Sequence, residues 1–199
     1  MKLPKLIALT LMLAGTLAAS VASAAHVLSF QNTTFTIAQV DNNTFTLRIQ
    51  NALNANGDWG NANYLDNMAF KDIGTGFTGA VLTPGQWSYS ANELSANGCY
   101  GGASGGLCFD AVPAMALTND MLFTIDVLGA NLNFAATGPH LKLRFLALAD
   151  SGRKEGSLLS QSLPLMLPPD EFRVPEPASL FLLVLAMFSL SLMRRATRV

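Results

Sequence analysis

The sequence predicts an all-β fold: a single β-sandwich of two antiparallel sheets, flanked by an N-terminal signal helix and a C-terminal transmembrane helix. Three observations carry the prediction. Short runs in the body alternate apolar and polar residues with a period of two, the pattern of a half-buried strand. Gly, Asn, Asp and Pro punctuate those runs at turn positions. Between the two ends, no segment of helical period extends beyond about two turns.

Residues 34–39 and 44–50 both alternate, with Phe35 and Ile37, then Phe45, Leu47 and Ile49, on one face. Asp41-Asn42-Asn43 between them is turn chemistry, so the pair reads as a hairpin. Its Thr34, Thr36, Thr44 and Thr46 fall on the outward face. Flat threonine arrays can bind ice, but two strands make too small an array, and threonine is a good exposed strand residue. Further strands are expected over 64–70, 77–82 (ended by Thr83-Pro84-Gly85), 121–127, 132–135, 140–145 and 158–161. In 140–145, Leu141, Leu143 and Phe145 point inward, leaving His140, Lys142 and Arg144 on a solvated face. Seven or eight short strands at this spacing suit a sandwich. From Pro164 to Arg173 proline recurs every few residues, which favours an extended tether over a sheet strand.

Both termini read as targeting segments. Lys2 and Lys5 precede an apolar stretch, and Ala22 and Ala24 are the small residues a signal peptidase requires, placing cleavage after Ala24. At the other end, the 17 residues from Pro177 to Met193 carry no charge. A helix over about 178–193 is at the short end of what crosses a bilayer. Arg194, Arg195 and Arg198 follow and are held on the cytoplasmic side. The organisation is therefore a signal peptide over 1–24, a sandwich over 25–163, a linker over 164–173 and a tail over 174–199.

The mature body, residues 25–173, is one domain in size. Its seven Lys/Arg and twelve Asp/Glu give 7 − 12 = −5, against −1 for the whole chain. That acidity argues against nucleic acid as a partner. In an oxidising compartment Cys99 and Cys108 are most simply read as a disulfide closing a glycine-rich loop. Such a closure is worth on the order of 2–3 kcal/mol. No metal ligand set accompanies the cysteines, and neither metal nor cofactor is expected.

The tail resembles the PEP-CTERM sorting signal of Gram-negative bacteria, carried here by Val174, Pro175, Glu176, Pro177 and Ala178, the apolar span and the terminal arginines. In the body Tyr64-Leu65-Asp66-Asn67-Met68-Ala69, His140-Leu141-Lys142-Leu143-Arg144-Phe145 and Gly156-Ser157-Leu158-Leu159-Ser160 resemble exported cargo of the same class. The resemblance implies processing by an exosortase near Pro175-Glu176-Pro177, with release or re-anchoring at the envelope. It also implies association with exopolysaccharide and biofilm matrix. Periplasm, envelope or matrix is the expected location, with transient anchorage in the inner membrane.

Chemistry is sparsely signalled. His26 lies two residues from the mature N-terminus, a poor site for a rigid catalytic group. Asp58, Asp66, Asp72, Glu93 and Asp110 are the acids available to a glycosidase-like pair, and spacing alone does not say which of them meet. The stretch Asn54-Ala55-Asn56-Gly57-Asp58, with Asn61, Asn63 and Asp66, reads either as calcium-ligating oxygens or as a polar loop with Asx-turns. Trp59, Trp87 and Tyr89, with Tyr64 and Tyr100, lie in or beside predicted loops where rings stack on sugars; each serves equally as a core plug. The expectation is a non-catalytic structural or interaction protein, with a carbohydrate-binding module as the alternative and a glycoside hydrolase third.

Overall fold

The computed structural model of the chain describes residues 25–149 and 153–166. The signal-cleavage residues Ala22 and Ala24, the sorting motif Val174 to Ala178, the apolar span and Arg194, Arg195 and Arg198 lie outside the described residues. Among the described residues no helix is long and apolar enough to cross a membrane.

The described residues form eleven strands: β1 (Ala25–Phe30), β2 (Thr33–Gln39), β3 (Thr44–Gln50), β4 (Tyr64–Lys71), β5 (Gly79–Thr83), β6 (Trp87–Asn92), β7 (Ser104–Ala116), β8 (Asp120–Leu128), β9 (His140–Leu146), β10 (Leu159–Ser162) and β11 (Leu165–Met166). They make two antiparallel sheets. One has six strands in the order β11-β1-β2-β3-β8-β5, the other five in the order β10-β9-β4-β7-β6. Alternation decides which side of each strand is buried. Phe35, Ile37, Phe45, Leu47, Ile49, Phe123 and Ile125 of the larger sheet share one core with Leu65, Met68, Phe70, Leu107, Phe109, Leu141, Leu143 and Phe145 of the smaller. Phe45 meets Phe70 edge-on across the gap between the sheets, at 4.9 Å.

The β2–β3 hairpin forms where its alternation places it. Asp41 turns it by accepting the backbone N–H groups of Asn43 and Thr44 at 2.8 Å each. The register sets Thr34 opposite Gln50, Thr36 opposite Arg48 and Thr46 opposite Ala38, so the four threonines share a face but are staggered, not side by side. Thr46 has its threonine neighbour on the other flank, Thr124 of β8.

Residues 132–135 are not a strand. Their donors go to two different loops, Leu132 N–H to Asn42 O and Asn133 and Ala135 N–H to Ile73 O and Asp72 O, so the segment bridges loops and extends no ladder. The expected tether also starts later: Leu165 and Met166 pair with His26 and Ala25 of β1. Strands β1, β6 and β7 are additional to those expected. Strand β7 contains Gly105, Gly106 and Pro113, residues that normally mark breaks. Gly105 takes a positive φ of 105°, and Gly106 belongs there because the β6–β7 hairpin closes so tightly. A Cβ on Gly106 would stand 2.8 Å from Asn92 O, and one on Gly102 would run into Glu93 O. Pro113 falls where β7 slips against β4, between the Leu65–Met115 and Asn67–Asp110 pairs, so no ladder bond to β4 is lost to it.

Loops gather at two ends. One end holds the β2–β3 turn and loops 72–78 and 129–139. The other holds the 3-10 turns Ala52–Asn54 and Gly57–Trp59, next to 29–32, 117–119, 146–149 and 153–157. Trp59 plugs this second end. It is 1% exposed, donates its indole N–H to Ser157 O at 2.8 Å, and meets Phe30, Phe35 and Phe145 edge-on at 5.4, 6.2 and 5.1 Å. Trp59→Ala is therefore expected to cost about 3–5 kcal/mol in urea unfolding, and Trp87→Ala, at a half-exposed site, distinctly less.

Candidate functional site

Two arrangements stand out, one on the outward face of the five-stranded sheet and one at its end. The first begins with a bulge in β4. Leu65 pairs with Phe145 while Asn67 pairs with Arg144, so two residues of β4 oppose one of β9, and both Asp66 and Asn67 turn away from the core. Arg144 reaches Asp66 at 3.2 Å and donates to Asn67 Oδ1 at 3.2 Å; the Asn67 amide donates to Asp110. Burial, the largest effect, raises the Asp66 pKa; Arg144 opposes that rise and Asp110 adds to it.

Asn67 and Arg144 are buried, because a flap lies over them. After Asn92 the chain crosses the sheet face, turns at Ser95–Gly98 through reciprocal backbone bonds of 3.2 and 3.1 Å, and returns as β7. Cys99 and Cys108 are joined, with Cα atoms 5.6 Å apart, as expected. The bridge forms a small second core with Ala69 and Leu94. Gly98 packs directly on the Arg144 guanidinium: a Cβ there would sit 3.3 Å from Nη1. Asn67 is 0% and Arg144 7% exposed. At the start of the flap, Glu93 receives Lys142 at 2.8 Å and Lys71 at 2.7 Å. Those two bonds, Lys142 first, pull the Glu93 pKa from an ordinary 4.5 down to about 2.

The expected solvated face of β9 is thus corrected: Lys142 and Arg144 are engaged beneath and beside the flap. His140 lies between the hydroxyls of Ser162 and Ser160 at 3.2 and 3.0 Å, and burial lowers its pKa. His26 is corrected as well. It is a fixed, buried residue of β1, in hydrogen-bond contact with Leu163 O at 3.1 Å and edge-on to Phe134.

The second arrangement is a cleft between β4, β6 and β7 of the five-stranded sheet and the loop residues 73–77. Its inner part, of about 240 Å³, is lined by Phe70, Phe77, Tyr89, Ala91 and Leu107, with Thr75 and Ser104 at the rim. It runs on into a wider trough, of about 570 Å³, walled by Asp72, Asn131 and Asn133 and sharing Lys71, Gly74, Thr75 and Gly105 with the inner part. Tyr89 rests on Phe109 at 5.8 Å, and partial burial raises its phenol pKa.

Of the proposed sugar-stacking rings, Tyr89 alone lines this cleft. Trp59 is corrected to a core residue. Trp87 packs edge-on against Phe123 at 5.8 Å and donates to Pro84 O at 2.9 Å, so it too is a plug. Both Trp87 and Tyr89 sit on a strand and not in a loop. Tyr100, 76% exposed, stands alone on the flap. Phe70 and Phe77 are lining rings that sequence reasoning missed.

Both carboxylates of the calcium reading are engaged by the fold. Asp58 accepts from Ser157 N–H at 2.7 Å and from Gln31, and those bonds hold its pKa down to about 2. Asn54 bonds Asn51 and Asn119, and Asp66 is bound to Arg144. Of the acids, Asp66 and Asp110 meet across Asn67, but under the flap and away from the cleft. Among the described residues no group of three or more His, Cys, Asp or Glu could hold a metal.

Comparison with protein-family models, with curated proteins and with solved structures found no match.

The Glu93 clamp has a testable signature. Its folded pKa lies below the unfolded one, so its stabilisation is complete above about pH 4.5 and is lost as pH falls towards 2. Chemical unfolding of Glu93→Gln across pH 2–6 should show a flatter loss of stability on acidification than the parent; parallel curves would mean that Glu93 does not clamp the flap.

Proposed function

We propose that this chain is an exported structural or interaction protein of the cell envelope or extracellular matrix, without catalytic activity. Signal peptidase cuts after Ala24, and an exosortase processes the C-terminal PEP-CTERM-like tail near Pro175-Glu176-Pro177. A signal helix and a transmembrane helix over about 178–193 thus flank the sandwich before processing.

The observation that carries this reading is the Cys99–Cys108 bridge. It holds down a flap over a buried guanidinium and a buried amide, and a disulfide of that kind persists in oxidising compartments outside the cytoplasm. The position of the described ends also supports it. Ala25 pairs with Met166, so the segments leading to the signal peptide and to the sorting tail leave side by side from one edge of the larger sheet. A domain so connected can hang from one point of a membrane with its loops free. The covered position of Asp66 and Asp110 favours a structural role for these carboxylates over hydrolysis.

Cell fractionation tests the proposal. The intact gene product should reach the envelope or the medium with Ala25 as its first residue. A version lacking 174–199 should still be exported, but should lose envelope association. Recovery of the uncut polypeptide from the cytosol would overturn the proposal.

A further inference from the structure

We propose that the cleft and its trough form a binding site for a chain of uncharged sugar units, with one ring held between Phe77 and Tyr89 and its neighbours lying along Asp72, Asn131 and Asn133. This deepens the matrix-interaction reading and rests on it only for the meeting of protein and polysaccharide.

Shape comes first. The inner cleft, about 240 Å³, is smaller than the ~300–1,000 Å³ typical of pockets for drug-sized ligands and suits a single ring. It shares Lys71, Gly74, Thr75 and Gly105 with the adjoining trough, so a ligand seated there has room for its neighbours alongside, as a polymer needs.

Chemistry divides between the two parts. Aromatic and aliphatic side chains dominate the inner part, matching the C–H face of a pyranose, which packs on aromatic rings. In the trough, exposed Asn131, Asn133 and Asp72 offer amide donors and oxygen acceptors of the kind that pair with hydroxyls. At the opposite end of the sandwich Asn32, Asn51 and Asn54 are spent on loop hydrogen bonds.

Charge matters as well. Lys71, the cation shared by both parts, is already bound to Glu93 at 2.7 Å, and Asp72 adds a negative charge beside it. No surplus positive charge remains there to select a carboxylated or sulfated polymer.

Affinity electrophoresis of the exported protein decides the matter, in native gels cast with hydroxyethylcellulose, galactomannan or alginate. At least one of the two neutral polymers should retard the parent, and Tyr89→Phe should keep that retardation. Tyr89→Ala should weaken it about tenfold, as expected for loss of one well-packed aromatic contact. Ala91→Trp, at an exposed lining position, fills the mouth without touching the core and should weaken it at least as much; this variant decides if Tyr89→Ala does not fold. No retardation by either neutral polymer, retardation by alginate alone, or undiminished retardation of Ala91→Trp would overturn the site. Localisation, read separately by fractionation, would be unaffected by such a failure.

Discussion

A guanidinium and a carboxamide on the outside of a β-sheet are ordinarily wet. Here Asn67 and Arg144 are both buried on the outward side of the five-stranded sheet, and burying such groups without partners costs several kcal/mol. The flap resolves the conflict. It excludes water from them while Asp66 and Asp110 supply their partners, and Glu93 ties its first residue to two lysines. The disulfide keeps this cover in place, because ten residues with four glycines would otherwise have many alternatives open to them. Cover, bulge and bridge therefore form one unit, and none of the three makes sense without the others.

This unit divides the molecule. The six-stranded sheet leaves its outward threonines, with Arg48 paired to Asp120, in solvent and needs no cover. The five-stranded sheet carries the flap, and its Tyr89 and Ala91 line the cleft together with Gly105 and Gly106 of β7 and the loop residues 73–77. The hairpin glycines thus serve both the flap and the site: they let the backbones approach, and they leave one wall of the cleft without side chains.

Some of this was legible in the sequence. The hairpin over 34–50 and the strand over 140–145 were readable because one face is uniformly apolar and the other polar, which period-two alternation reports directly. Strand β7 was hidden, since its glycines and proline answer to a close approach and a register slip that no local pattern encodes. Lys142 and Arg144 looked solvated because alternation separates inside from outside only for a sheet with one covered face; the flap covers the other. Trp59 and Trp87 are chemically identical to surface rings, and only the fold shows that both are plugs. The Asp66–Asn67 bulge left no trace beyond two polar residues in succession, and the pairing of Cys99 with Cys108 was readable from their spacing and expected compartment.

The most direct measurement on the flap is amide hydrogen exchange, read residue by residue, on the oxidised protein and on the same protein after reduction. If the bridge pins a cover over the outward face, reduction should strip protection from 93–108 and from Asn67 and Arg144, while the β2 and β3 amides stay protected. Equal protection in both states, or a uniform loss across both sheets, would contradict the account.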